Sequence, residues 1–83
     1  MSLEYPRLRS LTARQLHTAL LADGFLLVRQ RGSHRRYRHA DGRRVTLGFH
    51  HASDTFPPKT LRSMIEIQAR WTETDLLRLK LLK

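Results

Sequence analysis

Gly32-Ser33-His34 opens a stretch in which histidine and arginine stand close enough together to work on a phosphodiester. Between Arg29 and Arg44 the chain carries seven arginines and two histidines in sixteen residues. An imidazole ordinarily titrates near pH 6.5, so it can accept or donate a proton at neutral pH. A guanidinium offers a planar fork of donors that matches phosphate oxygens. RNA carries its own nucleophile, the 2′-hydroxyl. Cutting it without a metal needs a base for the 2′-OH proton, an acid for the leaving 5′ oxygen, and cations for the charge that develops on phosphate. His34, directly after two small residues that let another backbone come close, is the candidate base or acid. Spacing alone also fits a plainer role, since a histidine in a basic strand often only touches nucleic acid.

The wider composition points to the same partner class. Sixteen Lys and Arg against seven Asp and Glu give a net charge of +9, and thirteen of the sixteen are arginine. Such a surface calls for a polyanion, with nucleic acid ahead of a membrane. With 83 residues the chain has room for one domain, which sets the expected extent at residues 1–83. No deep cofactor cleft is expected in a core that small, and no cofactor is called for. The absence of cysteine excludes disulfides and thiolate metal sites and permits a reducing cytoplasm. No apolar run approaches the roughly 20 residues that span a bilayer, and residues 1–6 do not read as a signal sequence. His50 and His51 diverge in an extended segment with Asp54 as the one nearby acid, so no metal site is expected there. His17 and His39 read as bystanders. Tyr37 and Trp71 can stack on bases, although Trp71 is more simply a lid on the core.

The elements that must hold this stretch follow from caps and periods. After a loose lead-in over residues 1–10, Thr12 and Gln15 form a capping box for a helix from Ala13 to Asp23, with a Leu11–Leu16 staple and Gly24 as terminator. Phe25–Arg31 reads as a strand whose apolar first half suggests cover on both faces. Gly32-Ser33 turns the chain into a second strand, His34–His39. There alternation sets His34, Arg36 and Arg38 on one face and Arg35, Tyr37 and His39 on the other. Asp41-Gly42 signals a hairpin into a third strand, Arg43–Phe49, with Val45, Leu47 and Phe49 on one side. Pro58 suits the first turn of a second helix carrying Leu61, Met64, Ile65 and Gln68. Thr72 and Asp75 form a second capping box for a short helical tail over residues 72–83. Its leucines are too many for one narrow face, which fits contact with a partner or a second copy of the chain and equally a poorly ordered tail. The expected class is α+β in the order α-β-β-β-α, with a three-stranded antiparallel sheet and a short C-terminal helix.

These motifs resemble the HicA toxins, also called the YcfA-like family. The resemblance is carried by Leu11–Leu16, Leu20–Phe25, Val28–His34, Tyr37–Thr46 and Thr60–Ile65, in order and with compatible gaps from about Leu11 to Asp75. It implies a fold similar to double-stranded-RNA-binding domains, with both helices on one side of the sheet. It further implies a metal-independent mRNA endonuclease of a type II toxin–antitoxin system, neutralised by a HicB antitoxin. The family's catalytic histidine follows Gly-Ser or Gly-Thr, which matches His34. The arginines around it (Arg29, Arg31, Arg35, Arg36, Arg38, Arg43 and Arg44) and Ser33 are the candidate RNA contacts. The chain departs from the family at Gly48, where proline is common, and around Ser53-Asp54, where a basic residue is frequent. A non-catalytic RNA-binding module of the same fold is the alternative.

Overall fold

Both capping boxes form as the sequence requires. In the computed structural model, which describes residues 8–82, helix α1 spans Ala13–Ala22. The Thr12 hydroxyl accepts from Gln15 N at 3.3 Å, and Thr12 N donates to Gln15 Oε1 at 2.8 Å. These bonds satisfy N–H groups that a helix start otherwise leaves orphaned. Ala13, Leu16, Ala19 and Leu20 form the buried face. Most of the expected lead-in lies outside the described residues; at its end Leu8 is fully buried.

Three strands follow: β1 (Leu26–Arg31), β2 (His34–Arg38) and β3 (Arg44–Gly48), antiparallel in the order β1-β2-β3. The β1–β2 turn has two residues, with Gly32 at φ 58° ahead of Ser33. That is the glycine-first pattern of a type II′ hairpin, whose twist matches the strands it joins. At the second hairpin His39 N donates to Arg43 O, and Gly42 N donates to His39 O, both at 2.9 Å.

One sheet face is buried and the other is open. Tyr37, Val45 and Leu47 point into a core shared with α1, with Leu61, Met64 and Ile65, and with Trp71. Both main helices thus cover the same face, as the resemblance implies. The expectation of cover on both sides of β1 is corrected. The strand is exposed along its whole length, with Leu26 at 68%, Val28 at 57% and Leu27 at 40% accessibility. The reason lies in topology: β1 is an outer strand, no described element covers the open face, and the register slips between Leu27 and Arg29 so that Val28 is an extra residue.

The second helix begins as α2 (Pro58–Arg62), with Pro58 in its first turn, and widens into a π-helical turn over Ser63–Gln68. There Ala69 N reaches back five residues to Met64 O at 2.8 Å. A 3.6-residue period does not foretell such an insertion. Arg70 ends the helix at φ 56°, and Trp71 N bonds Ile65 O at 2.7 Å, a Schellman-like closure that turns the indole inward. Helix α3 (Glu73–Arg78) starts at the Thr72–Asp75 box. The tail that follows folds back: Leu76 and Leu81 are buried, Leu79 and Leu82 pack against the core, and Leu77 stays half exposed. Most of the leucine surplus is therefore used inside the chain. No helix among the described residues is long and apolar enough to cross a membrane.

Candidate nucleic-acid interface

The open face of the sheet is set by register. Reading across β1, β2 and β3, its rows are Leu26–Arg38–Arg44, Arg29–Arg36–Thr46, and Arg31–His34–Gly48. Neighbouring strands lie about 4.8 Å apart, and successive rows on one face about 6.7 Å apart. Five arginines and His34 therefore share one surface, and all six side chains are exposed. No carboxylate stands among these rows.

His34 occupies the end row, beside the glycine turn and opposite Gly48. A Cβ at Gly48 would come within 3.2 Å of the imidazole Cδ2, so glycine here makes room for the ring. Valine suits a strand better than glycine does. Gly48→Val should therefore keep or raise the melting temperature while displacing the imidazole. Ring-proton chemical shifts of His34 read the displacement, and unchanged shifts would contradict it.

Two concavities meet at His34. One, of about 470 Å³, is lined by Arg29, Arg31, His34, Arg36 and Thr46. The other, of about 590 Å³, runs over the start of β2 and the loop after β3, and Ser33, His34, His50 and Asp54 are among the residues lining it. Phe49 N donates to Ser33 O at 3.0 Å, which carries the pairing one step beyond β3. The Asp54 carboxylate accepts from His50 N and His51 N at 3.0 and 3.1 Å. These backbone donors hold its pKa below the usual carboxylate range. Asp54 thus fixes the backbone of the histidine loop, its hydrogen bonds to His50 and His51 running through their backbone N–H groups.

The structure brings some sequence candidates together and sends others elsewhere. Arg29, Arg31, Arg36, Arg38, Arg44 and His34 converge, with Ser33 at the turn. Arg35 lies on the opposite face, its guanidinium 4.1 Å from the centre of the Phe49 ring, and is half buried. Arg43, expected among the RNA contacts, is committed to the protein. It pairs with Asp41 at 2.8 Å and Asp23 at 3.2 Å, and donates to Ala69 O at 2.6 Å. An aspartate two residues before an arginine across a Gly turn was the sequence sign of that local pairing. Tyr37, considered for base stacking, is 1% exposed; its hydroxyl shares a 2.6 Å hydrogen bond with His17 Nδ1, and burial raises its pKa. Trp71 is likewise buried, with Nε1 donating to Asp23 at 2.8 Å. His39 is a pin: its Nε2 donates to Asp23 O at 2.9 Å, and its Nδ1 accepts from Asp41 N at 3.1 Å. Thr46 and Gly48 were missed as parts of the site because their place depends on cross-strand register.

A search of curated proteins finds no match. A family model described as HicA toxin of bacterial toxin-antitoxin matches residues 13–70. That span runs from the first residue of α1 to the left-handed residue closing the second helix, and it includes the whole sheet with His34. By fold and by family match, the chain belongs to the HicA toxin family of bacterial toxin–antitoxin systems.

Proposed function

We propose that the chain is the toxin of a type II system, a metal-independent endoribonuclease that cuts mRNA in the cytoplasm, stops growth and is neutralised by a HicB-type antitoxin. The observation that supports it most is the position of His34 at the junction of an arginine-lined concavity and a largely neutral groove. RNA laid across the open face would set phosphates against Arg29, Arg31 and Arg36, with one phosphodiester at the imidazole. A base takes the 2′-OH proton, the 2′ oxygen bonds to phosphorus, and the bond to the 5′ oxygen breaks as an acid protonates it. The products are a 2′,3′-cyclic phosphate and a 5′-hydroxyl. His34 carries one of the two proton transfers. For the other, His50 is the second histidine lining the same groove, while both ring nitrogens of His39 are occupied elsewhere. The arginines stabilise charge on the non-bridging oxygens. A homo-oligomer through the tail would have to use Leu77, the exposed leucine of α3.

Purified chain, incubated with mRNA in the presence of a chelator, tests this reading. Cutting to cyclic-phosphate ends is expected, and intact RNA after exposure to well-folded protein would point to the binding module. Salt dependence then separates the arginines. If about five phosphates are neutralised, log affinity should fall against log salt with a slope near −3.5. Arg36→Ala should flatten that slope by about 0.7, whereas Arg43→Ala should lower stability and leave the slope alone. Equal slopes for wild type and Arg36→Ala would remove Arg36 from the phosphate track.

A further inference from the structure

The two outer edges of the sheet are treated differently. At β3, Thr46 N donates to Gln68 Oε1 at 2.8 Å, and Gln68 is itself steadied by Ser63 Oγ at 3.0 Å. A side chain from the π-helical turn thus caps that edge. β1 pairs with β2 on one side only, and no other strand lies along its far side among the described residues. An outer strand left open presents N–H and C=O groups to any strand able to pair with it.

The open edge is also divided along its length. Leu26, Leu27 and Val28 form an exposed apolar half, and Arg29-Gln30-Arg31 a basic half, with the bulge at the boundary. Apolar residues at 68% and 57% exposure are poor contacts for a phosphate backbone and good ones for protein. The arginines decide which protein. Two copies of β1 paired antiparallel along their full length would set Arg31 against Leu26 and Arg29 against Val28, leaving the arginines without a counter-charge and the apolar residues without apolar cover. An acidic segment would be attracted by the same arginines.

We propose that β1 is a docking edge for an extended segment of a partner protein. The segment adds as a fourth, antiparallel strand and carries, in its own N-to-C order, acidic residues followed by apolar ones. Its acids face Arg29 and Arg31, and its apolar residues cover Leu26 and Val28. Main-chain bonds supply affinity, and the order of charge and apolarity supplies register. The proposal rests on the protein-partner part of the reading above and is independent of whether RNA is cut. It also couples the two surfaces, because Arg29 and Arg31 belong to the open face that RNA would use.

The test uses the full chain and synthetic peptides with three Asp or Glu followed by three Val or Ile. This peptide should bind and slow hydrogen exchange of the β1 amides. The same peptide N-methylated at alternate residues, and a peptide with acids and apolar residues in reverse order, should each bind at least tenfold more weakly. Val28→Lys, at an already exposed position, should weaken binding by a similar factor while β2 and β3 amides keep their protection. Equal binding of the N-methylated peptide would overturn strand addition, and equal binding of the reversed one would overturn the register. An RNA oligonucleotide that protects β1 while the acidic peptide does not would assign the edge to nucleic acid instead. Loss of RNA cleavage alone would not touch the proposal.

Discussion

His34→Ala should yield a folded protein whose RNA cleavage is lower by about 10²–10⁴-fold, the usual share of a positioned acid or base. The imidazole is exposed and lies against Gly48. Its removal should therefore shift stability by no more than about 0.5 kcal/mol, as for other surface changes. The five arginines of the open face remain, so RNA affinity and its salt slope should change little. This combination separates chemistry from binding: a lost contact would lower affinity, whereas a lost proton carrier lowers only the rate. Single-turnover cleavage of a defined mRNA, measured beside binding at matched salt, reads both quantities. Equal rates for the two proteins would take His34 out of the mechanism. A deficit that vanishes at saturating protein would make it a binding residue.

The second large effect concerns stability and lies far from His34. Asp23, whose side chain is 9% exposed, follows α1 and receives three partners distant in sequence. Trp71 Nε1 donates to it at 2.8 Å, Arg78 at 2.7 Å, and Arg43 pairs with it at 3.2 Å. The first helix, the second hairpin and the C-terminal tail are thus joined at one carboxylate. Removing it strands an indole N–H and takes from Arg43 one of its two carboxylate partners, Asp41 being the other. Asp23→Ala should cost about 3 kcal/mol, in the range for breaking one side of a buried pair. For a chain of this size that lowers the melting temperature by roughly 12–24 °C. A drop of under 2 °C would show that the cluster holds nothing together.

Acid should probe the same group. Burial works to raise the Asp23 pKa, but the bonds from Trp71 and Arg78 and the charge of Arg43 outweigh it and the value is lowered. A carboxylate lowered on folding contributes stability that is complete above its unfolded pKa of about 3.9 and is lost as pH falls through the folded value. Wild type should therefore lose stability on acidification below about pH 5, and Asp23→Asn should lose less over the same window. Parallel acid limbs in chemical denaturation would assign the effect to other carboxylates.

Local chemistry was legible because its causes are local. Thr12 with Gln15 and Thr72 with Asp75 announce helix starts through bonds spanning three residues. Gly32 and Asp41-Gly42 announce turns through backbone conformations that few other residues tolerate. Alternation along His34–Arg38 assigned each side chain to a face, since a strand's period of two does not depend on what surrounds it. The order of elements, the α+β class and the family of the chain were all within reach of such signals.

Decisions that join distant residues were not. Both halves of the open question around Gly32-Ser33-His34 belong to this kind: which arginines accompany the histidine, and what lies across from it. Arg43 and Arg44 are neighbours in sequence, yet Arg43 turns inward to Asp23 and Asp41 while Arg44 joins the open face. The placement of Gly48 against the imidazole, the exposure of Leu26 and Val28, and the withdrawal of Tyr37 and Trp71 into the core depend on which strand is outermost and which face the helices cover. By itself the sequence determined which residues can do chemistry and the local elements that carry them. Only the tertiary structure decided their company, because strand register and burial are set by contacts between segments far apart in the chain, to which no local period responds.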